Sequence, residues 1–142
     1  MLQTLVEEPG SSTAEEIRAG IEAALRDTVE TVGVDAVADR AGVDREAVAA
    51  LAAGESPELT LEEAAAVYAA GEDRPDAESV LLESRDELLM GMSMAVLDVE
   101  AIESGIDGAI EAKEIQQKVE GRFPMTLAEF ALLLGFIEGR KP

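Results

Sequence analysis

Three of the chain's 11 cations, Lys113, Lys118 and Arg122, fall within one short stretch that also carries Gln116 and Gln117. Glutamine can pair with an adenine edge, and lysine or arginine with guanine or phosphate, so these types close together are those a DNA-reading helix uses. The segment from Glu111 to Glu120 (EAKEIQQKVE) has the spacing of one amphipathic helix, which would present them together. The competing reading is a solvated helix face that is merely less acidic than the rest. An earlier segment offers much less: of Asp44, Arg45, Glu46, Ala49 and Ala50, only Arg45 suits a base edge or a phosphate.

Other chemistry has little support. The chain has no His and no Cys, hence no imidazole base, no thiolate and no disulfide framework. Neither a GxSxG elbow nor a phosphate-binding loop is present, so no catalytic residue is expected and the reading is non-enzymatic. From Glu103 to Glu114 the chain imitates a calcium loop, with Asp107, Gly108, Ile110 and Glu114 in register. Glu103 at the first position and Gly105 at the third remove two ligands, so an Asp-Gly turn is expected there and no metal. No cofactor is expected.

The elements that would position these residues are helices throughout. Ser12 and Thr13 precede Glu15 and Glu16 at capping-box spacing, and Ile17, Ile21, Leu25, Val29 and Val32 follow as one apolar stripe. Asp35 and Asp44 can cap two short helices that end before Gly42 and Gly54. Thr60 with Glu63 caps a fourth, and the stretch Gly71 to Pro75 is the best internal boundary. The predicted helices run near 13–32, 35–41, 44–53, 60–70, 76–97, 98–104, 111–120 and 126–138. Residues 1–12 read as a tail or a short strand.

The order after Pro75 repeats the order before it. A slide of 63 positions lays Ala14, Glu15, Leu25, Asp35, Ala38, Gly42 and Asp44 on identical residues, Ala77 to Asp107. Four extra residues follow Asp107, after which Val48 and Gly54 match Ile115 and Gly121, and Thr60 with Glu63 matches Thr126 with Glu129. Shared Asp, Gly and Thr at helix boundaries fix geometry, which composition alone does not explain. The expected fold is therefore all-α: two related four-helix, helix-turn-helix-like units, 13–71 and 72–142, sharing one core. Met90, Met92 and Met94 around Gly91 are expected at the seam between the units. Phe130 to Ile137 is expected to be buried all round.

The segment Val34 to Gly54 resembles the helix-turn-helix of phage-repressor-type regulators. Ala38, Gly42, Val43, Asp44, Val48, Leu51 and Gly54 carry the resemblance. In those families the second helix of the pair enters the major groove. The resemblance therefore implies double-stranded DNA as a partner. In this chain the second unit, through Lys113, Gln116, Gln117, Lys118 and Arg122, has better contacts than the first with Arg45.

Charge sets the cellular expectation. Asp and Glu total 31, giving a formal net charge of −20, and 47% of residues are apolar with only 3% aromatic. Such a surface repels itself in dilute buffer and is relieved when molar salt cuts the screening length to about 3 Å. The acidic, Arg-leaning composition and the phrases DELLMGM and KEIQQKVEGR resemble those of small haloarchaeal proteins with no assigned activity. The longest apolar run is too short for a membrane span, and residues 1–10 do not read as a signal peptide. The expectation is a cytoplasmic, homodimeric, DNA-associated regulator of a halophilic archaeon. The alternative is a protein–protein interaction module that keeps the fold without the DNA.

Overall fold

The computed structural model describes residues 1–142 and arranges them in eight α-helices. The first half holds α1 (Ala14–Val32), α2 (Val34–Ala41), α3 (Arg45–Ala52) and α4 (Leu61–Ala69). The second holds α5 (Ala77–Ala95), α6 (Val99–Gly105), α7 (Ala112–Val119) and α8 (Leu127–Arg140). The fold is all-α, and its one strand-like feature is an isolated antiparallel bridge between Thr60 and Thr126.

Capping explains where the helices begin. Thr13, Thr60 and Thr126 accept the N–H groups of Glu16, Glu63 and Glu129, whose carboxylates accept the threonine N–H groups in return. Each box satisfies two amides that a helix start leaves orphaned and sets a carboxylate at the positive end of the dipole. Asp44, Asp76 and Asp98 cap α3, α5 and α6 through the side chain alone. Asp35 does not cap: α2 starts directly after Gly33, and Asp35 lies in its first turn.

Packing joins the halves. Buried residues of α1, α4, α5 and α8 belong to one core cluster, including Ile17, Leu25, Val67, Leu88, Phe130 and Leu133. Within each half the first helix packs on the fourth. Across the halves α1 packs on α8 and α5 on α4. At the centre the exchange is reciprocal: Leu61 N–H donates to the Met125 carbonyl (2.7 Å) and Leu127 N–H to that of Leu59 (2.8 Å). Most of the Phe130–Ile137 run is buried in α8, so it is consumed inside the chain.

Several expected features take another form. Residues 1–12 are neither strand nor loose tail: they make 3-10 turns at Leu2–Leu5 and Pro9–Ser11. Leu2 is inserted in the core and its N–H donates to Ser84 Oγ (3.0 Å). Gly91 does permit a close approach, since a Cβ there would lie 2.6 Å from Ile137, but Met90 and Met94 face solvent instead of a seam. Gly42 and Gly105, identical under the slide, do different work. Gly42 is left-handed (φ 66°) and turns the chain with Asp44 to start α3. Gly105 is the last residue of α6, where a Cβ would meet the Phe136 ring at 2.1 Å. The second turn is made later by Asp107 (φ 56°) and Gly108 (φ 73°), and Asp107 caps nothing.

Candidate functional site

The predicted DNA-facing residues of α7 are largely tied to carboxylates. Ile115 and Val119 point into the core, which turns Lys113, Gln116 and Glu120 outward and leaves Gln117 half-buried. Gln116 donates to the Glu120 carboxylate, and Arg122 Nη2 reaches the other oxygen of the same group. Lys118 is half-buried and braces α7 to α8 through Glu129 (2.5 Å), with Glu114 at 4.0 Å. Burial pushes the Glu129 carboxyl up. The Lys118 hydrogen bond, the Thr126 amide and the lysine charge outweigh this and hold it below the ordinary glutamate range. Only Lys113 of this group stays exposed without an ion pair. In the first half, Arg45 pairs with Asp35 at 2.5 Å on the surface, far along the chain from the α7 group.

The calcium-like segment is also internally committed. Glu103 Oε1 accepts the Ala112 N–H (2.6 Å), so this carboxylate closes the start of α7 in place of a capping side chain at Glu111. No group of three or more acidic side chains there, or elsewhere, is arranged to hold a metal ion.

The outer face of α5 carries a different signal, which residue types and spacing do announce. Leu82, Leu89 and Val96 recur at seven-residue intervals, two helical turns apart, and all three are exposed. Beside them Met90 and Met94 also face solvent, and Leu89, Met92, Ser93, Val96, Leu97 and Asp98 line a shallow groove. Val96 is 90% exposed and adopts the left-handed conformation (φ 54°, ψ 51°) at the end of α5. For a β-branched side chain that conformation costs roughly 1–2 kcal/mol, so an apolar side chain is held strained and in water. Glu78, Arg85 and Asp86 lie within one turn of the stripe's leucines, Glu83 faces the N-terminal ammonium (3.8 Å), and Asp98 closes the end.

The turn before α7 accounts for this exposure. In the first half α3 lies closely on α1, and Arg26 on α1 donates to the Leu51 carbonyl of α3 (2.6 Å). Counted from their N-caps, Arg26 and Leu89 occupy the same place on two helices of 19 residues each. In the second half the longer α6–α7 turn buries both Ile106 and Ile110 and sets α7 against α6, with less of it on α5. The face of α5 around Leu89 is left uncovered.

No helix is long and apolar enough to cross a membrane. The model of DUF5791, described as a family of unknown function, matches residues 17–140, and the chain belongs to that family. No curated protein and no solved structure matches it.

Proposed function

We propose that this member of DUF5791 is a non-catalytic protein-interaction module that docks a basic amphipathic helix on the outer face of α5. The observation that carries the reading is the exposed stripe Leu82–Leu89–Val96, ending on a valine strained into solvent. The left-handed turn closes the end of α5, where the Val96 and Leu97 N–H groups donate to the Ser93 and Met92 carbonyls, and it leaves the valine side chain in water. The seven-residue repeat is the seam a second helix fits, and Met90 and Met94 offer adaptable apolar surface beside it. Charge decides the occupant. Two copies of this chain would set Glu78 and Asp86 against one another, whereas lysines flanking a partner's apolar stripe would meet them favourably.

The same reading treats the chain as a duplicated four-helix unit working in concentrated salt. The reciprocal Thr60–Thr126 bridge supports the duplication and the net charge of −20 supports the salt. A DNA-associated regulator is the second reading, favoured by Lys113, which α7 leaves exposed, with the half-buried Gln117 one turn on. The assay is anisotropy in molar KCl with two probes. One is a lysine-flanked peptide with leucine at every seventh position, beside a scrambled control; the other is random duplex DNA. Saturable binding of the ordered peptide, lost in Leu89→Glu and kept in Lys113→Glu, is expected. Retention on DNA that Lys113→Glu removes and Leu89→Glu leaves intact would replace this reading with the second.

A further inference from the structure

Arg85 stands apart from the other arginines. Arg18, Arg45 and Arg122 pair with carboxylates, Arg26, Arg40 and Arg74 donate to carbonyl or hydroxyl oxygens, and Arg140 lies over the Phe136 ring. Arg85 is half-buried on α5 and makes no hydrogen bond, ion pair or ring contact. None of its nitrogens is sealed from water, so the guanidinium fork is hydrated and open to an acceptor. It borders a cavity of about 190 Å³, together with Thr60, Lys118, Gly121, Arg122 and Phe123. In a chain of net charge −20, three cations gather around this hollow, with Glu62 on the same lining.

We infer that this cavity, between the start of α4, the middle of α5 and the turn after α7, binds the carboxylate or phosphoryl group of a small ligand on the Arg85 fork. Gly121 (φ 79°) makes room for the fork. A Cβ there would come within 2.5 Å of Arg85 Cζ and Nη1, so the guanidinium lies against bare backbone. Lys118 and Arg122 add positive potential, each partly spent on Glu129 and Glu120. The Glu62 amide in the first turn of α4, which also lines the cavity, has no carbonyl partner. The Glu62 carboxylate opposes an anion but is exposed, so it can turn to water. The hollow is smaller than the roughly 300 Å³ at which drug-sized sites begin, which suits a single oxyanion group with a short tail.

The first half contains the satisfied version of the same site. Counted from the N-caps of α1 and α5, Glu22 stands where Arg85 does. Glu22 is only 4% exposed, and its carboxylate takes Arg18 Nε (3.2 Å) and Ser56 Oγ (2.8 Å). In the second half the charge at that place is reversed, Leu81 replaces Arg18, and Arg122 is drawn to Glu120. No carboxylate of the chain pairs with Arg85, which leaves the fork free for an anion from outside.

The test is a titration of the isotopically labelled full chain with inorganic phosphate and, separately, acetate, at ionic strength fixed with KCl. The Arg85 Nε–H and the Gly121 and Phe123 amides should shift saturably, with a dissociation constant on the order of 1 mM. The probe that saturates at lower concentration identifies the phosphoryl or carboxylate class. Arg85→Gln should weaken binding at least about tenfold, and Arg85→Lys, which keeps charge without the planar fork, by several-fold. Non-saturable shifts with both probes would overturn the site. So would saturable shifts that persist undiminished in folded Arg85→Gln and Arg85→Lys. This outcome is independent of peptide binding at Leu89, so either site can fail alone.

Discussion

α1 and α5 are both helices of 19 residues capped at the same relative position, yet they present different outer faces. At matching places α1 carries Ala19, Arg26 and Gly33, while α5 carries Leu82, Leu89 and Val96. The inner faces stay alike: Ile17 and Leu25 match Val80 and Leu88, all fully buried. The difference teaches that the shared core constrains one side of each helix only. With the longer α6–α7 turn, less of α7 lies on α5 than of α3 on α1, and the other side of α5 is uncovered. The first half closes these positions internally, through Glu22 and Arg26, and the second puts there a half-buried Arg85 without a partner and an exposed Leu89.

The largest test of the common frame is truncation of Leu25 or Leu88 to alanine. Each should cost about 2–5 kcal/mol, read as a drop in denaturation midpoint, and both variants should melt in a single transition because the halves share a core. Two transitions would break the comparison by making the halves independent. The glycine pair sharpens it. Gly105→Ala should cost about 1–3 kcal/mol through the Phe136 ring, and Phe136→Leu should recover part of that loss. Gly42→Ala meets open space and should cost about 1–2 kcal/mol from its backbone alone, without rescue at 136.

At the ends of α1 and α5 the two halves should respond with opposite sign. Val96→Gly should raise stability by about 0.5–1 kcal/mol, strain relief exceeding the added chain entropy, while weakening peptide binding. Gly33→Val, at φ 103° and ψ 145°, should destabilise by about 1–3 kcal/mol. The smallest effect concerns the α7–α8 brace. The folded Glu129 carboxyl lies below its ordinary 4.5, so the unfolded chain binds more protons in that window. The stabilisation is present above about 4.5 and is lost as pH falls through the depressed folded value. Lys118→Met should flatten this acid loss in denaturation curves; an unchanged slope would show that the brace contributes nothing.

Much of this frame was readable in the residues. Capping boxes at Thr13, Thr60 and Thr126 and the apolar spacing of α1 and α8 predict helices close to those found, because both signals are local. The Asp107–Gly108 turn is legible from its residue types, but the role of Gly105 is not, because an identical glycine can serve a turn, as Gly42 does, or a tight contact, as Gly105 does. Only the position of Phe136 distinguishes them. The cations of α7 could be found by type, but not their engagement by Glu120 and Glu129, since Lys118–Glu129 joins two helices. Leu82, Leu89 and Val96 were visible as a seven-residue repeat. Their exposure depends on where α7 lies, which no local pattern reports.

The most direct test of the α5 account is a map of amide shifts when the lysine-flanked amphipathic peptide is titrated into the labelled chain in molar KCl. The account predicts saturable shifts centred on Leu82, Leu89, Ser93 and Val96 and reaching Asp98, with Ala19, Arg26 and Gly33 unmoved. Shifts centred on Lys113 and Gln117, or spread equally over α1 and α5, would contradict it.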